Sequence, residues 1–135
     1  MQPKILIIDD DEIVLFLHSV ILEDTGTRDA PEKFGSAQAA LRYLDRYAEN
    51  GRQFLLLLDI NMPVMNGWAF LDALEARPLH AEISVVLVTS SVDESDRKKA
   101  FSYSMVNGFL IKPLSAEQIS ELKQAAVFKP FFLHP

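Results

Sequence analysis

The segment Leu55–Gly67 reads LLLLDINMPVMNG. Four consecutive leucines give a strand no polar face, so both of its faces must be covered. The run ends on Asp59, a residue type that folded proteins seldom bury. A turn-forming stretch with Pro63 and Gly67 follows at once. A buried strand that stops at a carboxylate and breaks into a loop is the pattern of a parallel sheet, with the acid at its carboxyl edge.

The flanking sequence repeats this pattern. KILII (4–8) is a short apolar run before Asp9, Asp10 and Asp11. ISVVLVTSS (83–91) is rich in β-branched residues and ends in hydroxyls, and FLIKP (109–113) closes on Lys112 and Pro113. Between these strands lie helical patterns. In residues 9–26, Ile13, Phe16, Leu17, Val20 and Ile21 recur at helical spacing and predict an inward apolar face, with Gly26 as the stop. Ser36 is positioned to cap a helix carrying Ala37, Ala40, Leu41 and Leu44, which Gly51 ends. Phe70, Leu71 and Leu74 should line the inner side of a third helix. A polar fourth helix is expected to run to Gly108, and a fifth over 115–128, with Ser115 and Gln118 in capping-box spacing. TRDAPEKFGS (27–36) is the weakest strand pattern, and Pro31 demotes it to an edge.

Strand and helix alternate five times. The expected fold class is α/β: a doubly wound five-stranded parallel sheet, (βα)5 and flavodoxin-like, in three αβα layers. The chain is 135 residues long, with 49% apolar and 24% charged residues, which suits one domain. It contains no cysteine, so disulfides, thiolate metal sites and a cysteine nucleophile are excluded. Thirteen basic against 19 acidic residues give a net charge of −6, which disfavours direct binding to nucleic acid. No apolar run approaches the roughly 20 residues of a membrane helix, and no signal peptide is visible, so a cytoplasmic protein without membrane contact is expected.

In such a sheet, ligands bind beyond the carboxyl ends of the strands. Asp9–Asp11, Asp59, Thr89–Ser91 and Lys112 all fall on that edge. Clustered carboxylates repel one another, and one of them would be driven towards protonation unless a cation relieves it. Magnesium, a hard ion that favours oxygen, suits the set, with manganese as an alternative. The three histidines, at 18, 80 and 134, are too scattered to suggest zinc or copper. A carboxylate beside such an ion can attack phosphorus. Lys112, Thr89 and the metal can then each take one phosphoryl oxygen.

The blocks ILIIDDDE, LLLLDINMPVMNGW, VVLVTSS and GFLIKP, in this order and spacing, resemble the receiver domain of two-component response regulators over roughly residues 3–127. The resemblance implies that Asp59 is the phospho-acceptor. It implies that Asp10 holds the metal, with Asp9 acting partly through water, and that the main-chain carbonyl of Asn61 completes the metal shell. It implies that Thr89 is the switch hydroxyl, that Phe109 stands at the switch aromatic, and that Lys112 is the site lysine with a cis bond to Pro113. On this reading residues 1–128 form the receiver domain and 129–135 a short tail. The domain would be of the stand-alone type, with no output domain. It would take its phosphoryl group from a sensor histidine kinase or a histidine phosphotransfer protein and signal to a downstream protein, as a monomer or weak homodimer. It would catalyse only its own phosphorylation and dephosphorylation.

A magnesium-dependent phosphatase is the competing enzyme, but it would need a second acid two residues after the nucleophile, where Asn61 stands. A binding module that is never phosphorylated would have no need for the full residue set. Asp11 is expected to cap the first helix, His18 to lie at the surface or its boundary, and Asp96–Lys99 to form a solvated helix face. Ser91 is expected to border the site. Phe128, Phe131, Phe132 and Leu133 are expected to pack back on the domain, with a dimer or partner contact as the alternative.

Overall fold

The structure is a computed structural model, and it describes residues 3–90 and 93–133. Ser91, expected at the border of the site, lies outside the described residues. Five strands, β1 (Lys4–Ile8), β2 (Glu32–Phe34), β3 (Gln53–Leu58), β4 (Glu82–Thr89) and β5 (Val106–Ile111), alternate with five helices. The helices are α1 (Glu12–Asp24), α2 (Ala37–Tyr47), α3 (Gly67–Glu75), α4 (Glu94–Phe101) and α5 (Ala116–Leu122). All strand pairs are parallel and the order is β2-β1-β3-β4-β5, so the chain reverses direction across the sheet between β1 and β3. The doubly wound α/β fold expected from the alternation is the one observed.

The leucine run is explained by its place. β3 pairs with β1 on one side and β4 on the other, so its backbone groups are satisfied in the ladder. Leu55 and Leu57 enter the core under α1 and α5, together with Ile5, Ile7, Val86 and Val88. Phe54, Leu56 and Leu58 enter the opposite core under α2 and α3, with Leu6, Ile8, Val85 and Leu87. Successive side chains point to opposite faces, and both faces are covered. β2 is three residues long and lies at the sheet edge, with Pro31 just before it rather than within it.

Several local expectations are corrected. The inward face of α1 is Leu15, His18, Ser19 and Leu22, while Ile13 and Phe16 are 70% and 61% exposed and Leu17 and Val20 also face outward. Both stripes have helical spacing on this largely apolar helix, so periodicity alone does not select the buried one. Asp11, whose side chain accepts from the amides of Ile13 and Val14, caps the helix, and packing against the sheet and α5 puts Leu15 and Leu22 in the core. His18 is therefore buried, not at the surface. Gly26, at φ 91°, follows the end of α1 in the left-handed conformation that glycine adopts without penalty. α2 ends at Tyr47, ahead of Gly51, and α4 ends at Phe101. Gly108 lies inside β5, where a side chain would meet Val86 at 3.1 Å.

α5 is shorter than expected and stops at Leu122, but its capping box forms as read, with the Gln118 amide donating to Ser115 and the Ser115 amide to the Gln118 side chain. The last residues, expected as a short tail, contain a 3-10 helix at Lys129–Phe131. Phe128, Phe131 and Phe132 fold back into the core beneath α1 and α5. Phe132 bridges antiparallel to Thr27, and the Leu133 amide donates to the Gly26 carbonyl at 2.7 Å. Among the described residues, no helix is long and apolar enough to cross a membrane.

Candidate functional site at the carboxyl edge of the sheet

Sheet register assembles the site. Ile8 pairs with Leu58, so the next residues, Asp9 and Asp59, leave the sheet side by side. Thr89 pairs with Ile111, so Lys112 follows directly beside it, its amide donating to the Thr89 carbonyl at 2.8 Å. The amide of Asp59 donates to Ile8 and that of Asp9 to Phe34, which fixes both backbones. Gly67 closes the loop after Asp59. Its amide donates to the Ile60 carbonyl at 2.8 Å, and a Cβ there would stand 2.7 Å from the Asp59 carbonyl oxygen. A larger residue would push the loop off the strand end.

Asp9 and Asp59 are buried and Asp10 is exposed, yet one carboxylate oxygen from each lies within 4.8 Å of the others. The Lys112 ammonium lies 2.7 Å from Asp9 and 3.4 Å from Asp59. The other Asp9 oxygen accepts from the Asp11 amide at 3.0 Å. Burial, reinforced by the charge of Asp9, pushes the Asp59 carboxyl up; Lys112 and the Asn61 amide, which donates to it, oppose that shift without cancelling it. Burial pulls Lys112 down, but the hydrogen bond to Asp9 and the charges of both acids outweigh it and leave the ammonium above its ordinary 10.5. Three carboxylates thus face one ammonium, an imbalance that a bound cation would relieve. An all-oxygen donor set of this size fits a hard divalent ion such as magnesium or manganese.

The structure brings Asp9, Asp10, Asp59, Thr89 and Lys112 to one edge, as expected from sequence, with Asn61 in the adjoining loop. Thr89 is fully buried at the end of β4. Phe109 lies beside Leu87, two positions before Ile111, which pairs with Thr89, and therefore on the same face of the sheet as Thr89. Phe109 is half-buried, and the Arg97 guanidinium stands 5.7 Å from its ring centroid. The Lys112–Pro113 bond is cis. His18 lies behind this edge: burial lowers its pKa, Asp9 opposes that, and Lys112 adds to it. Sequence reading missed His18, because the rotation of α1 hid it. It also missed the contact of Arg97 with Phe109, which no pattern in α4 signals.

Comparison with known proteins agrees with this geometry. A family model described as the response regulator receiver domain matches residues 5–124. The cyclic di-GMP phosphodiesterase response regulator RpfG of Xanthomonas campestris pv. campestris (strain 8004) is 32% identical over 116 residues, covering 86% of this chain but 29% of that protein. The probable methanogenesis regulatory protein FilR2 of Methanothrix harundinacea (strain 6Ac) is 32% identical over 117 residues, covering 85% of this chain and 75% of that one. Among solved structures, a two component response regulator from Cytophaga hutchinsonii superposes with a TM-score of 0.82 at 32% identity, covering 95% of this chain and 98% of that one.

Proposed function

This chain belongs to the response regulator receiver domain family, and we propose that within it Asp59 is the residue that accepts the phosphoryl group. Asp9, Asp10 and Asp59, with the main-chain carbonyl of Asn61, would hold magnesium or manganese. The ion, when bound, neutralises charge on the transferring phosphoryl group. An Asp59 carboxylate oxygen attacks phosphorus and forms the new P–O bond. The bond from phosphorus to the donor breaks with its electron pair remaining on the donor, an imidazole nitrogen of a histidine kinase or phosphotransfer protein. That nitrogen keeps the pair and takes a proton from solvent to become neutral imidazole. Lys112 holds one phosphoryl oxygen and Thr89 another. Loss of the group is the same chemistry with water as nucleophile and the Asp59 carboxylate as leaving group.

The observation that carries this reading is the Lys112 ammonium 2.7 Å from Asp9 and 3.4 Å from Asp59, within an acid cluster that has more negative than positive charge. The output is a change in surface: Thr89 moves towards the phosphoryl group, Phe109 turns inward, and α4, β5 and α5 present a different face to a downstream protein. The receiver domain acts in the cytoplasm, monomeric or weakly dimeric, without direct contact with nucleic acid.

Labelled acetyl phosphate tests the reading. Incorporation of label should require magnesium, stop with chelator, and be absent in Asp59→Asn. Labelling that persists in Asp59→Asn, or that ignores chelator, would refute it.

A further inference from the structure

Among the described residues of α4, Ala100 alone is buried, so the core holds this helix weakly. A different set of contacts ties its end to α3. The Lys99 ammonium stands 4.6 Å from the centroid of the Trp68 ring. The same ring stacks on Tyr103, with centroids 6.2 Å apart and planes 15° from parallel. The Tyr103 hydroxyl donates to Asp72 at 2.7 Å. Trp68 and Asp72 are four residues apart on α3 and share one helical face; Lys99 lies in the last turn of α4 and Tyr103 two residues past its end, where its amide donates to Ala100. The far end of this set reaches the acid site. Trp68 follows Gly67, whose backbone lies against the Asp59 carbonyl with no room for even a methyl group.

We propose that Lys99 on Trp68 is a latch that holds α4 against α3 in the unphosphorylated molecule and releases when Asp59 is modified. This rests on Asp59 being the acceptor. A phosphoryl group adds charge and three acceptor oxygens beside the 59–67 loop, and a loop packed this tightly passes a displacement on to the next residue. Cation–π attraction is lost beyond about 6 Å, so a shift of the Trp68 ring by an ångström or two opens the contact. Because α4 buries only Ala100, the latch, together with Tyr103 on Asp72 and Arg97 beside Phe109, is part of what fixes its position. Lys99 and Trp68 are positioning residues in this scheme, acting on α4 rather than on phosphorus.

Trp68 is the sole tryptophan of the chain, so its fluorescence reports on the latch without labelling. Beryllium trifluoride with magnesium mimics the phosphoryl group, and 19F NMR of the bound fluorides scores its binding independently of Trp68. In the unaltered protein, Trp68 emission and its access to iodide should change in step with the 19F signal. In Lys99→Met the emission should already be shifted before the mimic is added. The mimic should then bind about 2- to 5-fold more tightly, the population change that loss of one exposed cation–π contact brings. Lys99→Arg, which keeps the contact, should restore ordinary affinity. Bound mimic with unchanged Trp68 emission and unaltered affinity in Lys99→Met would overturn the latch while leaving Asp59 as acceptor. A merely structural lysine would give that result with only a lowered denaturation midpoint. If no mimic binds and acetyl phosphate leaves no label, both readings fall.

Discussion

The Lys112 ammonium lies 2.7 Å from Asp9, and the Arg77 guanidinium lies 2.7 Å from Asp45. The two contacts differ in almost everything except distance. Arg77 reaches Asp45 with a second nitrogen at 3.2 Å and joins the end of α3 to α2 on the outside of the molecule, with the Asp45 side chain 49% exposed. One cation meets one anion, and water screens both. Lys112 is enclosed with Asp9 and Asp59 at the sheet edge and has Asp10 close by. There the charges do not balance, and water is largely excluded. A surface pair holds two elements in place at little net gain. An enclosed, unbalanced cluster is poorly stable by itself, and on the proposed reading that imbalance is what suits it to take up a cation and accept a phosphoryl group.

The carboxylates of the two regions accordingly shift in opposite directions. The hydrogen bond and charge of Arg77 hold Asp45 below its ordinary 3.8, while burial and Asp9 push Asp59 above it. Ionised Asp45 stabilises the fold; ionised Asp59, without metal, opposes it.

Removing the enclosed cation should have the largest effect. Lys112→Met leaves the buried acids without compensation, and urea denaturation in chelator should show a loss of about 2 kcal/mol. Added magnesium should recover part of it. An unaltered midpoint would erase the contrast between the two regions. Removing an enclosed anion should do the reverse: without metal at neutral pH, Asp59→Asn should gain about 1 kcal/mol. A falling midpoint would show that Asp59 is not crowded by like charge.

The third expectation concerns pH and is smaller. Because the folded-state pKa of Asp59 is raised, its ionisation removes stability as pH climbs above 3.8, and Asp59→Asn should lack that component. Asp45 contributes in the opposite sense: its stabilisation is present above 3.8 and is lost as pH falls below that value. Midpoints of Asp59→Asn and Asp45→Asn recorded across the acid range in chelator should therefore diverge from the parent in opposite directions; parallel curves would count against it. The smallest effect is expected from Arg77→Met, which should lower the midpoint only slightly at physiological salt. A large loss there would place the exposed pair in the same class as the enclosed one.

The enclosed region was legible in the sequence because chain neighbours become spatial neighbours in a parallel sheet. Asp9, Asp59 and Lys112 each follow directly on an apolar run, and register alone brings them together. The apolar runs also gave the sheet and its two cores, and Ser115 with Gln118 gave a true helix start. What was not legible depended on rotation and on distant contacts. Ile13, Phe16, Leu17 and Val20 compete with Leu15, His18, Ser19 and Leu22 for the core at the same spacing, and only the packed molecule decides between them. The contact of Lys99 with Trp68 joins residues 31 apart on helices whose relative placement no local pattern encodes.

Chemical trapping tests Asp59 most directly. Borohydride reduces an acyl phosphate to an alcohol, so a phosphorylated aspartate is read as homoserine. After incubation with acetyl phosphate and magnesium, peptide sequencing should find homoserine at residue 59, and none in Asp59→Asn. Intact aspartate at 59 in protein that has taken up label at another residue would contradict it.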